Sequence, residues 1–233
     1  MRIKFLTLLL FLLPLIRPAF AGDTHGNAIY HAFTLETDYG AGQHGPVASW
    51  DIDGWIGGDE NKLWIKSEGE NDDGTTDQSE FWALYSKNVS TFWDVQAGVR
   101  FDAQPWSAGY FVLGVNGLAP QFIETETHLF ISDDGDVSAR LRLERDVLLT
   151  QRTVFQPYLE LNLFAQDVPE RQTGAGLSDG EIGLQTRHEF SRQFAPYLDL
   201  RYERAFGETA HLANKNGEDS DNFVAALGVR LMF

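Results

Sequence analysis

The 233-residue chain carries 18 lysines and arginines against 34 aspartates and glutamates, a formal net charge of −16, and contains no cysteine. Disulfide frameworks and thiolate metal sites are therefore excluded. The acidic balance also argues against nucleic acid as a partner, because phosphate binding needs a basic footprint.

The chain opens with the basic residues Arg2 and Lys4, followed by the apolar run FLTLLLFLLPLI and the small-residue segment Pro18-Ala19-Phe20-Ala21. That order predicts a secretory signal peptide over residues 1–21 with an A-x-A cleavage site. The apolar run spans only twelve residues, whereas a spanning helix needs about twenty. Removal takes Arg2, Lys4 and Arg17 and no acid, leaving fifteen basic against thirty-four acidic residues and a mature charge of −19. Residues 22–233 suit one domain.

Beyond residue 21 no stretch is long and apolar enough for a membrane helix, but the chain breaks into twelve short alternating segments. They lie near residues 28–38, 46–57, 60–69, 78–88, 92–103, 109–118, 120–131, 136–146, 153–165, 179–190, 194–206 and 222–233. In the last, Phe223, Ala225, Leu227, Val229, Leu231 and Phe233 form one wholly apolar face. In FIETETHLFIS, Ile123, Thr125, Thr127, Leu129 and Ile131 alternate with Glu124, Glu126 and His128. Period-two alternation marks strands with unlike faces. With both termini in the periplasm, the periplasmic connections are all short and most of the outer ones long and acidic, and the strand count is even. Those features together predict an all-β, antiparallel, twelve-stranded transmembrane barrel of the bacterial outer-membrane type. A soluble β-sandwich also alternates, but its turns need not sort by length. Aromatic residues at strand ends (Trp50, Trp93, Trp106, Tyr110, Phe122, Phe190, Phe194, Phe206 and Phe233) fit girdles at the two lipid interfaces.

If the apolar parity meets lipid, the other lines a lumen in which carboxylates outnumber cations. Two readings stay open here: a structural lattice of ion pairs, or a cation-attracting interior. Glu124, Glu126 and His128 share one face and form the candidate metal set, since carboxylate plus imidazole suits Zn²⁺ or Cu²⁺. The outer loops NDDG and NGEDSD lack the spacing of an EF-hand loop and read as solvated. An outer-membrane enzyme would need Ser/His or Asp/His groups converging at one rim. His188 and Glu189 are adjacent and point to opposite faces, so the chain reads as non-enzymatic.

The blocks WDIDGWIGGDENKLWIKSEGE (50–70), EFWALYSKNVSTFWDVQAGVRFD (80–102) and SDDGDVSARLRLERDVLLTQR (132–152), with the closing GVRLMF, resemble the copper resistance protein B family. The likeness covers residues 46–233. It implies an outer-membrane barrel surrounded by lipid that binds copper or helps export it from the periplasm, with periplasmic copper-handling proteins as partners. Family members carry an N-terminal extension often rich in Met and His. Here only GDTHGN precedes the first segment, and Met232 is the only methionine after residue 21. One thioether cannot build a Cu(I) site of two or three soft ligands. Copper is thus expected on oxygen and nitrogen donors, from Glu124, Glu126, His128, His25 and His31, with Met232 the single sulfur candidate. The alternative is a passive porin or structural barrel that handles no specific metal.

Overall fold

A strand that alternates apolar and charged positions has two unlike faces, and closing a sheet of such strands separates a lumen from an apolar outer wall. The computed structural model describes residues 28–43, 45–72 and 74–233, and in it the chain forms such a closed sheet. The expected signal segment, with His25, lies outside the described residues. The first strands are β1 (Tyr30–Ala41), β2 (Pro46–Gly57), β3 (Asn61–Asp72), β4 (Thr75–Ser90), β5 (Trp93–Gln104) and β6 (Ala108–Ala119). There follow β7 (Ile123–Ser132), β8 (Val137–Glu144), the two-residue β9 (Val147–Leu148), β10 (Thr153–Phe164), β11 (Gly176–His188), β12 (Phe194–Ala205) and β13 (Asp221–Met232). Apart from β8 and β9, neighbours in sequence pair antiparallel; β1 pairs with β13 and β10 with both β8 and β11, so the ring closes.

Thirteen strands reduce to twelve staves because β8 and β9 are one stave interrupted. Both pair with β10 in a single continuous register, Tyr158↔Glu144 and then Phe155↔Val147, and the gap falls opposite Pro157. Proline has no N–H to give a ladder, so the pairing lapses at Arg145. Its amide still donates to the Pro157 carbonyl at 3.2 Å.

Parity divides the side chains as the alternation requires. On β13, Leu227 is 69% exposed to the outside while Val224 and Ala226 are buried within. The outer wall continues through exposed Ile52, Ile65, Phe81, Val99 and Leu113, the apolar band that a barrel turns to lipid. The end that carries Tyr30 and Met232 has the short turns and a ring of exposed aromatics, among them Phe92, Phe122, Phe190, Phe194 and Phe233. Short turns identify this as the periplasmic end. Tyr110, expected in a girdle, instead faces inward and is buried with Trp82, Leu84, Val112 and Phe130.

The opposite, outer end differs from expectation in two places. The loop expected over 69–77 is a tight turn: β3 and β4 stay paired out to Asp72↔Thr75, and Gly74 takes the left-handed conformation (φ +83°). An Asp-Gly pair is a strong hairpin signal, and the acidic residues around it ride on strands. The segment expected as a long loop before the last strand contains a helix, α1 (Gly207–Asn216), ended by Gly217 at φ +83°. A left-handed glycine just past the last turn is a common helix stop. Before β11 the chain makes a single 3₁₀ turn over Pro169–Arg171.

Candidate functional site

The inward residues enclose a cavity of about 410 Å³. Its lining carries thirteen carboxylates (Glu36, Asp38, Asp51, Asp53, Glu68, Glu70, Glu124, Glu126, Glu144, Asp146, Glu160, Glu181, Asp199) and five cations (Lys66, Arg140, Arg142, Arg201, Arg230). All but Asp146, which lies in the break between β8 and β9, stand on strands, so their convergence follows from closure of the sheet. Parity in the alternating segments places most of these carboxylates on the lumenal side. Glu36 and Asp38 were legible in the alternation of TLETDYG, whereas Glu70 was hidden by reading its segment as a loop.

The cations strut the lumen from wall to wall. Lys66 of β3 meets Asp53 on neighbouring β2 at 2.9 Å and Glu126 on distant β7 at 2.7 Å. Arg140 of β8 pairs with Glu68 of β3, and with Glu80 of β4 at 3.0 Å. Arg142 of β8 lies 3.3 Å from Asp51 of β2 and 3.2 Å from Glu144. Arg201 of β12 holds Glu203 and, across the cavity, Glu70, both at 2.7 Å. Removing a charge from bulk water is costly without a partner, and every one of the five cations has one. The lattice reading of the lumen therefore holds for the cations. Carboxylates remain in excess, so the interior also keeps a net negative charge.

Two tyrosines brace the wall between these struts. Tyr158 lies over Gly183 and Tyr197 over Gly228, where a β-carbon would come within 2.2 and 2.3 Å of the ring. Their hydroxyls donate to Glu181 at 2.8 Å and to Asp38 at 3.0 Å. The glycines are there because the rings cross the neighbouring strand.

Glu124, Glu126 and His128 do share the inward face of β7, and all three line the cavity. Their donor atoms have separate engagements. Both oxygens of Glu126 accept from Lys66, at 2.9 and 2.7 Å, and Oε1 also accepts from Asn116 at 3.1 Å. His128 is 2% exposed, with Nε2 2.9 Å from Gln96 Oε1 and its ring edge-on to Trp82 at 5.2 Å. It fits there because Gly114, its partner on β6, leaves room for the ring. Glu124 makes no ion pair within 4.0 Å among the described residues. His31 is exposed near the periplasmic end of β1, opposite Ile56 and on the parity that faces outward. Met232 ends β13 opposite Thr34 and is 42% exposed. Among the described residues no three His, Asp or Glu side chains are grouped so as to hold a metal ion. The arrangement is a strutted lumen lined by an excess of carboxylates, with no preformed metal cage among the described residues.

The family profile described as copper resistance protein B precursor (CopB) matches residues 30–233. This chain belongs to the copper resistance protein B family. It is 41% identical over 186 residues to copper resistance protein B of Escherichia coli, covering 79% of this chain and 63% of that one. It is 38% identical over 217 residues to a copper resistance protein B homolog of Pseudomonas syringae pv. tomato, covering 91% of this chain and 72% of that one. The chain thus spans somewhat under two thirds of the E. coli relative's length. Among solved structures it is similar to the NanC porin, with a TM-score of 0.59 and 12% identity over 84% of this chain and 98% of that one. It is also similar to the KdgM porin, with a TM-score of 0.55 and 9% identity over 86% of this chain and 99% of that one. At such low identity the likeness to porins is one of fold alone.

Proposed function

We propose that this member serves copper resistance as a non-enzymatic barrel of the outer membrane, taking copper ions from the periplasmic side into its acidic lumen and assisting their passage outward. The observation that carries the reading is the lining of thirteen carboxylates against five cations. An excess of fixed negative charge behind low-dielectric walls raises the local concentration of cations and excludes anions. Copper, as the cargo, would meet carboxylate and imidazole donors, which favour Cu(II) over Cu(I). Glu124 is the carboxylate of the candidate set that lacks an ion-pair partner among the described residues, and Glu126 and His128 lie two and four residues further along its face. Ligation by His128 would displace Gln96, and ligation by Glu126 would compete with Lys66. His31 sits near the periplasmic end of the first strand, and His25 precedes it in sequence; this pair is the proposed point of uptake from periplasmic copper-handling proteins, with Met232 at the end of the last strand the single sulfur beside it.

The test is copper flux into liposomes. The full chain is reconstituted with a trapped copper-responsive dye, and influx is compared for Cu(II), Ca²⁺ and a large anion. Faster entry of Cu(II) than in protein-free liposomes, with the anion excluded, supports the reading. Equal permeation of the anion would favour a passive, unselective pore.

A further inference from the structure

The segment between β10 and β11, residues 165–175, does not stand away from the barrel. It leaves the wall at Phe164 and folds over the outer mouth. Its 3₁₀ turn brings Arg171 to Asp102 of β5, Nη1 to Oδ2 3.5 Å, and sets the guanidinium 5.1 Å from the ring of Tyr110 on β6. Those strands lie three and four staves further round the wall from β10, so the segment crosses the mouth as a chord. Beneath it Arg100 packs against Tyr110 and Phe130 at 4.9 and 4.8 Å, tied to Asp102 at 2.6 Å and Glu80 at 2.7 Å. Loop and stack together lie across the outer end of the barrel.

Several contacts give the segment its own shape. Val168, 6% exposed, pairs with Thr173 in a small bridge, and the Ala175 amide donates to Asp167 at 2.7 Å. Helix α1 seats on it from above: the Gly174 amide donates to Thr209 Oγ1 at 2.9 Å, and Asn216 donates to Gln172 at 2.7 Å. The contacts differ in how readily they break. The side chains of Arg100 and Asp102 are 8% and 5% exposed, whereas that of Arg171 is 22% exposed. If Arg171 withdraws, Asp102 keeps Arg100 and no carboxylate is stranded. A partly solvated ion pair with a cation–π contact is weak enough to open and reform.

We propose that residues 165–175 form a lid on the outer mouth, latched by Arg171 on Asp102 and Tyr110 and backed by α1. The inference rests on reading the lumen as an ion passage and deepens it, because release to the outside then requires the lid to lift. Lids of this kind move as units about their ends. In such a barrel the resting state passes little current and the unlatched state passes more.

The experiment is K⁺ conductance of the full chain in planar lipid bilayers, with folding of each variant checked by heat-modifiable gel mobility. Arg171→Ala, and separately replacement of 168–173 by a Gly/Ser linker, should each raise conductance or open probability several-fold. Arg171→Lys should fall between, keeping the charge and losing the flat stack on Tyr110. Conductance unchanged from the parent in both folded variants overturns the lid. K⁺ is the probe, so a raised K⁺ current without any copper flux would keep the lid and remove the copper reading.

Discussion

Lys66 on β3 and Glu126 on β7 face each other across the lumen and meet through both carboxylate oxygens, at 2.9 and 2.7 Å. With Asp53 at 2.9 Å on the same ammonium, this strut joins two walls that share no backbone hydrogen bond. Lys66→Met should therefore destabilise the barrel. Breaking a fully buried pair costs about 3–5 kcal/mol, and the partial exposure of Asp53 and Glu126 to lumenal water lowers the expectation to about 1–3 kcal/mol. Urea unfolding in lipid vesicles measures it, and a change below about 0.5 kcal/mol, the size of an ordinary surface substitution, would show that the strut carries no stability.

Leu227 tests the assignment of faces. It points outward from the middle of β13 between Tyr39 and Leu198, while Ala226 beside it points inward. Leu227→Arg should cost about 2–4 kcal/mol if the site lies near the bilayer midplane. The same unfolding measurement checks it, and a neutral result would mean that this face does not meet hydrocarbon.

Gly114 tests the seat of His128. A methyl group there would come within 2.3 Å of the imidazole Cδ2 and 2.7 Å of the Thr127 carbonyl. Gly114→Ala should force the ring away from Gln96 at about 1–3 kcal/mol, the usual cost of overfilling a packed site. The imidazole resonances of the folded variant should shift with it. An unchanged His128 environment would contradict the packing described.

The ligand chemistry also makes a prediction. One thioether does not form a Cu(I) site, so Met232→Leu should leave copper binding unchanged, whereas His25→Ala with His31→Ala should weaken uptake at the periplasmic end. Isothermal titration of the folded variants decides. Loss of binding with Met232→Leu and none with the histidine pair would reverse the assignment.

Much of this architecture is legible in the sequence. Alternation in FVAALGVRLMF separates Leu227 from Ala226, and the same rule carried along twelve segments places the lumenal acids. What alternation cannot report is which opposing walls meet. Glu126 reads as a candidate metal ligand in FIETETHLFIS, and only closure of the ring brings Lys66 to it. Tyr110 read as a girdle aromatic because its sequence position is at a strand end, yet parity turned it inward beneath Arg171. The lid was hidden for a related reason: ERQTGAG is polar and glycine-rich like any exposed loop, and its inward fold depends on Asp102 and Tyr110 several strands away.

The measurement that bears most directly on the copper reading is equilibrium Cu(II) binding by the purified, folded chain beside its Glu124→Gln/Glu126→Gln/His128→Asn variant. The account predicts that the parent binds copper in competition with Ca²⁺, and that the variant, folded to the same heat-modifiable form, binds it more weakly. No copper binding by the parent, or equal binding by the two, would contradict it.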